Sequence, residues 1–331
     1  MTSYGASELK TADGNCPVCR VQNPDSTAVP WLRNMLEGQS EFSIQRCRSC
    51  GFGWLSPRPT PDQLTKLYGK QYFDRYAGDG VADHVPPMTI TDRLRVKIAW
   101  KADRGLTLQE EIEPLLLSSS CHLCDIGCGN GGLLAKLQSP ERTLIGVEPD
   151  AAARERCQSA GVSVLPGNTE SLPSEIGSNT QDVVVMSHVL EHCIDPIGAL
   201  ERAARILRPG GSMIVEVPNA ESMGAASLGS TWFHADYGRH VNFFGERSLK
   251  AAAARVGLRG TRISFSNYVV QFTNKWIGAQ QGNWDKQLRL GQIAPTPGRD
   301  SKNRAWLLLL RTAFSSRSAR YSVVRMIATK P

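Results

Sequence analysis

The feature that most constrains this chain is a strand that ends in a carboxylate and runs straight into a glycine cluster. Cys124-Asp125-Ile126 leads into Gly127-Cys128-Gly129-Asn130-Gly131-Gly132, and the helical run Leu133-Leu134-Ala135-Lys136-Leu137 follows at once. A strand, a glycine loop and a helix in that order predict an open α/β sheet with a nucleotide cradle at the strand's carboxyl end. Glycine lets the backbone there take positive φ and approach a ligand closely. Gly127, Gly129 and Gly132 satisfy the G-x-G-x-x-G pattern, and Glu148 lies near the ~20-residue offset of a ribose-binding acid. On this loop alone a dinucleotide enzyme and other nucleotide-cofactor enzymes fit equally.

The segments after the loop narrow the choice. Thr143 to Val147 reads as a second buried strand with Glu148 at its end, and Val162 to Leu165 as a short third leading into Gly167 to Pro173. Asp182-Val183-Val184-Val185-Met186 is a continuous apolar run, typical of a strand covered on both faces, and it delivers Ser187 to His192. A helix from Pro196 to Leu207 is predicted to stop at Arg208-Pro209-Gly210-Gly211, before a fifth strand from Met213 to Val217.

The series DIGCGNG (125–131), VEPD (147–150), SHVLEH (187–192) and LRPGG (207–211) resembles the class I S-adenosylmethionine-dependent methyltransferases over roughly residues 120 to 260. The resemblance implies an α/β, Rossmann-like seven-stranded methyltransferase sheet. It implies that Asp125, Gly127, Gly129 and Gly131 hold the methionine part of S-adenosylmethionine, and that Glu148 accepts the ribose hydroxyls. Asn168 and Glu170 fall where the adenine is read, and His188 falls near the methyl group.

At 331 residues the chain exceeds one compact domain. Met1 to Lys10 lacks an apolar signal core and no run approaches ~18 apolar residues, so a cytoplasmic protein is expected. Of its nine cysteines, Cys16, Cys19, Cys47 and Cys50 form two C-x-x-C knuckles. That spacing suits one tetrahedral structural zinc better than free thiols or redox pairs, because a redox C-x-x-C needs no second copy. Cys121, Cys124, Cys128, Cys157 and Cys193 read as small buried side chains. The knuckles followed by SPRPTPDQLTKLYGKQYF (56–73) are similar to zinc-ribbon methyltransferases of bacterial sugar and surface-polysaccharide assembly. The expected organisation is a zinc-ribbon module over 1–60, a helical linker or substrate cap over 61–119, and a methyltransferase domain over 120–331 with insertions at 219–245 and 271–317. In the linker, Tyr68, Tyr72, Phe73 and Tyr76 are spaced for one helical face that packs on the main domain, and another helix is expected from Thr91 to Leu116 with a break near Gly105.

The first insertion is dense in Trp232, Phe233, His234, Tyr237, His240, Phe243 and Phe244, as a loop over a ligand is; local packing is the alternative. A strand from Leu258 to Val270 and another from Tyr321 to Thr329 are expected to form the closing hairpin. From Arg299 to Pro331 there are eight basic residues and one acid, which equals the whole chain's formal +7. Such a tail suits a pyrophosphate, RNA or an anionic membrane surface, or else a buried helix with solvated basic flanks. The segment Tyr237 to Phe244 is similar to the one that carries the base in sugar C-methyltransferases. This makes His240 the expected general base, with Tyr237 beside it, His188 positioning the donor and His192 structural. Imidazole suits proton transfer near neutral pH. The favoured acceptor is a small molecule or glycan, through a sugar hydroxyl before a sugar carbon. Peripheral membrane contact through the basic tail accompanies that reading; an RNA-base methyltransferase gripping its substrate through the ribbon and tail and a non-catalytic cofactor-binding protein are the alternatives.

Overall fold

The computed structural model describes residues 15–22, 24–28, 42–67, 87–116, 120–229, 232–236, 239–289 and 301–331. Near the N-terminus, β1 (Pro24–Ala28), β2 (Ser43–Cys47) and β3 (Gly53–Ser56) pair antiparallel. The second cysteine knuckle is the turn between β2 and β3. Gly51 has φ +77° there, and the Cys47 N–H donates to the Phe52 carbonyl at 2.8 Å.

Helices Ile90–Ala102 and Leu108–Ile112 lead to the large sheet, each opened by a capping box, Thr89 with Asp92 and Thr107 with Glu110. The expected break near Gly105 therefore falls between two separately capped helices. The strands β4 (Cys121–Ile126), β5 (Arg142–Glu148), β6 (Val164–Pro166), β7 (Gln181–Ser187) and β8 (Leu207–Pro218) pair parallel, with β4 between β5 and β7. After β9 (Asn242–Phe243) come β10 (Arg259–Ser266) and β11 (Val323–Thr329), and β11 runs antiparallel between β8 and β10. The order β10-β11-β8-β7-β4-β5-β6 is the expected α/β methyltransferase sheet. From β4 the chain winds outward through β5 and β6, then crosses to β7 on the other side. This reversal opens a crevice beyond the carboxyl ends of β4, β5 and β7.

Residues 208–211, expected as a stop before the fifth strand, are part of β8. The Gly210 N–H donates to the Lys330 carbonyl at 2.8 Å and the Lys330 N–H to the Gly211 carbonyl at 3.0 Å, so the chain's last residues extend the ladder across the turn-like sequence. The tail is less available as a charged surface than its composition suggests. Arg325 is 1% exposed and paired with Glu216 inside the sheet, the Lys330 ammonium is bound by Asn179 and two carbonyls, and Lys302 pairs with Asp92. The helix Ser301–Ala313 buries Ala305, Leu308, Leu309 and Thr312 and leaves Arg311 at the surface, and Arg317, which opens the next short helix, is exposed as well. Among the described residues no helix is long and apolar enough to cross a membrane. Tyr72, Phe73, Tyr76 and Tyr237 lie outside the described residues, as does Tyr68.

Candidate functional site

The switch-point crevice gathers the residues of the glycine loop and the ends of three strands. Gly127 takes φ +77°, and a Cβ there would lie 2.4 Å from Val189 Cγ2, so only glycine lets the loop pass beneath the turn that follows β7. Gly129 also has positive φ, +55°, but a Cβ would meet nothing within 4 Å. The loop thus leaves open space above Gly129.

Glu148, 6% exposed at the end of β5, accepts from the Gly129 N–H at 2.9 Å through Oε2 and from the Asp150 N–H at 3.0 Å through Oε1. A carboxylate offers about four lone-pair sites, so one on each oxygen stays available for a ribose diol. Burial raises its pKa against those two N–H bonds. Asp125 is 3% exposed, and its Oδ1 is buried with no hydrogen-bond partner. Burial, then the charge of Glu148, pushes its carboxyl up to about 7. A buried acceptor without a donor fits a cationic group such as the methionine ammonium of S-adenosylmethionine. Asn168 spends its Oδ1 on the Glu170 and Ser171 N–H groups, at 3.0 and 2.8 Å. Only its amide N–H₂ is left to meet an adenine, and Glu170 beside it is exposed.

Beyond β7 the chain turns at His188, a non-glycine residue with φ +56° whose side chain is 37% exposed. Its Nδ1 lies 3.1 Å from Glu191 Oε1 and its Nε2 3.8 Å from Glu216 Oε1. Burial opposes a charged ring here, but the Glu191 hydrogen bond and the charges of Glu191 and Glu216 together outweigh it, and the pKa of His188 is raised. Glu191 is buried, yet the hydrogen bond from His188 holds its carboxyl down at about 2. His192 and His240 meet edge to face at 4.6 Å, with His192 lowered to about 4 by burial and by His240. The ring of His234 stacks on His188 at 5.8 Å, and burial depresses its pKa. The structure therefore brings His188, His192, His234 and His240 into one cluster next to the cofactor loop. His240 is 8% exposed, with its ring packed against His192.

A cavity of about 140 Å³ opens next to this cluster, lined by Trp232, Trp276, Trp284, Gln271 and Gln280 with Arg304 among its walls. The His234 ring touches both Trp232 and Trp276, at 5.1 and 4.9 Å, and so joins the cavity to His188. Both expected insertions thus line one pocket.

At the N-terminal module the Cys16 and Cys50 sulfurs are 3.6 Å apart and those of Cys19 and Cys47 3.5 Å, all four within 4.8 Å of one another. Tetrahedral thiolates at ~2.3 Å from one zinc are about 3.8 Å apart, so the four fit that ion. The module is tied to the site. β3 pairs with β9, the Leu55 N–H donates to the Val241 carbonyl at 3.0 Å, and Arg58 donates to the same carbonyl at 2.9 Å and to Asn242 Oδ1 at 2.6 Å. Asn242 in turn donates to the Leu190 and Cys193 carbonyls. Sequence reasoning missed Arg58, which nothing in a proline-rich link singles out. It also missed Glu216, whose signal was present as one acid in the apolar run Met213 to Val217.

An α/β sheet of this order, with a glycine cradle, an acid at the end of the next strand and a histidine turn after β7, is that of a class I S-adenosylmethionine-dependent methyltransferase domain. Residues 100–263 match the model of a methyltransferase domain family, and the chain carries such a domain. A malonyl-[acyl-carrier protein] O-methyltransferase of Hahella chejuensis is 30% identical over 165 residues, 46% of this chain and 58% of the relative. A ubiquinone biosynthesis O-methyltransferase of Cereibacter sphaeroides is 30% identical over 149 residues, 43% of this chain and 57% of the relative. An uncharacterized 37.1 kDa protein in a transposon of Streptomyces fradiae is 38% identical over 107 residues, 30% of each chain. The chain thus spans between 30% and 58% of the length of these relatives. A crystal structure of an S-adenosylmethionine-dependent methyltransferase from Thermotoga maritima, described as a possible histamine N-methyltransferase, is 19% identical with a TM-score of 0.46. It covers 81% of this chain and 98% of that one.

Calorimetry with S-adenosylmethionine tests the cofactor cradle. Losing the Glu148 carboxylate removes charged hydrogen bonds of about 1.5–3 kcal/mol, so Glu148→Ala is expected to weaken affinity by roughly 10- to 150-fold. Gly129→Val, which fills the open space, should weaken it as well. Unchanged affinity in both variants removes the assignment. Asp125 adds a sign. Its raised pKa keeps much of it protonated near pH 6.5, and an ammonium beside it favours the anion, so binding should release up to one proton. The release should vanish in Asp125→Asn.

Proposed function

We propose that this protein transfers a methyl group from S-adenosylmethionine to a hydroxyl of a sugar or glycan, and that Cys16, Cys19, Cys47 and Cys50 hold a structural zinc. The observation that supports the first reading most is the join between the cofactor crevice and the tryptophan-lined cavity through His188 and His234. Indole faces suit the apolar faces of a sugar ring, and the Arg304 guanidinium suits the phosphates of an activated sugar.

When bound, S-adenosylmethionine supplies an electrophilic methyl whose bond to sulfur breaks with its electron pair returning to sulfur. The chain's own work is to align the acceptor oxygen, exclude water and take one proton; alignment alone supplies roughly 7–11 kcal/mol. We place the proton on His188 Nε2. Its Nδ1 is held by Glu191 and its side chain is 37% exposed, whereas His240, read from the sequence as the base, is buried. The RNA reading is disfavoured because Arg325 of the basic tail is buried against Glu216, and Lys302 and Lys330 are paired with partners within the chain.

Radiolabelled methyl donor offered to total RNA, to nucleotide sugars and to extracted glycolipids across a range of salt discriminates the readings. A sugar acceptor should be labelled with a shallow salt dependence. Label on RNA alone, falling with a log–log slope of roughly −0.7 per neutralised phosphate, would sink the sugar reading.

A further inference from the structure

We propose that Glu191, His192 and His240 bind a divalent first-row transition cation, at a second metal site separate from the four cysteines. Glu191 and His192 sit on the turn after β7, and His240 reaches them from the segment just before β9. One ligand atom from each lies within 4.8 Å of the other two.

The hydrogen bonds around the three show which atoms face the ion. His240 Nδ1 is 2.8 Å from the His234 carbonyl oxygen, and His192 Nδ1 is 3.2 Å from the Arg239 carbonyl oxygen. A carbonyl only accepts, so both Nδ1 atoms carry the hydrogen and both Nε2 atoms present a lone pair. An imidazole whose other nitrogen donates to a backbone carbonyl is fixed as a metal ligand is fixed. Glu191 uses Oε1 for His188, and its Oε2 is buried with no hydrogen-bond partner. The residue is 1% exposed, so that oxygen has no access to solvent to offset its burial. A cation between the two Nε2 atoms and Oε2 gives that buried carboxylate oxygen its partner.

The donor set selects the class of ion. Two imidazoles and a carboxylate favour the manganese-to-zinc series over magnesium or calcium, and three protein ligands leave positions open. Donors sharing an ion at ~2.1 Å lie about 3.0–3.4 Å apart, so binding draws the three together. The carboxylate that would hold the ion also holds His188. An ion there would sit beside the carboxylate that positions His188, a role that rests on the methyltransferase reading although the binding does not.

The test uses the full chain, depleted with chelator, given one equivalent of zinc for the cysteines and titrated with Co²⁺. Expected is a second bound equivalent whose ligand-field bands lack the thiolate charge-transfer absorption of a cysteine site. Glu191→Gln and His192→Ala should lose it at cobalt concentrations that saturate the wild type, while S-adenosylhomocysteine binding by calorimetry shows that the variants are folded. Should either lose that binding, His240→Gln carries the comparison. No second equivalent in the wild type, or bands unchanged in the folded variants, overturns the proposal. A wild type that binds cobalt but no S-adenosylhomocysteine would instead remove the methyltransferase reading and leave the metal site standing.

Discussion

Chelation of the four-cysteine cluster, or Cys47→Ser, should unfold the N-terminal module and stop methyl transfer while leaving cofactor affinity nearly unchanged. The size follows from the ion. A structural zinc contributes apparent binding energy of about 10–16 kcal/mol, which the small three-strand sheet cannot replace from its own core. The consequence for turnover follows from β9. Without β3, the Val241 carbonyl loses both the Leu55 N–H and the Arg58 guanidinium, and the segment that ends at His240 loses one of its two walls. The other wall, where the Val241 N–H donates to the Glu191 carbonyl and Asn242 to Leu190 and Cys193, does not depend on the module. The cofactor cradle shares no partners with β3, so S-adenosylmethionine affinity should move by less than about 0.5 kcal/mol. Zinc content, hydrogen exchange across 239–243 and turnover measured on the same sample check this. Exchange that stays slow after the metal is gone would separate the module from the site. Arg58→Ala is the milder version. Burial pulls this guanidinium down to about 10, and its hydrogen bonds to Val241 and Asn242 are lost without touching the cysteines.

Replacing His188 with asparagine is expected to lower turnover by roughly 10²- to 10⁴-fold, the usual contribution of a positioned base. Asparagine is the variant of choice because the position has φ +56°, a conformation it adopts more readily than most side chains. Backbone strain is thereby kept out of the comparison. The Michaelis constant for S-adenosylmethionine should hold, because Asp125, Gly129 and Glu148 are untouched. Wild-type turnover in this variant would move the base to His240, as the sequence reading had it, and equal losses in kcat and cofactor affinity would make His188 a binding residue. Glu191→Gln keeps the shape of the carboxylate but not its charge. It should lower turnover too, because the amide no longer favours the charged His188 ring.

Much of the α/β domain could be read along the chain because its signals are local. Strands β4, β5 and β7 end in Asp125-Ile126, Glu148 and Ser187-His188, and in a parallel sheet those ends share one rim. The glycines state their own need, since positive φ at Gly127 and Gly129 is a property of the residue as much as of the fold. The C-x-x-C pairs likewise declare a four-sulfur cluster by spacing alone. What the sequence could not show is where distant segments meet. Residues 208–211 carry every mark of a turn, yet the chain's last residues hydrogen-bond to them and make them strand. Arg325 and Lys330 count toward a basic tail in composition, but Glu216 and a set of carbonyls spend their charge inside the protein. The union of the N-terminal module with the segment of His240 depends on a two-residue strand, too short to leave a periodic signal and existing only because β3 offers it an edge. Chemistry written in side-chain type and spacing was determined by the sequence by itself. Which histidine faces the crevice, and which turns inward toward Glu191, was decided only by tertiary packing, because burial and a neighbour's carbonyl are properties of the assembled site.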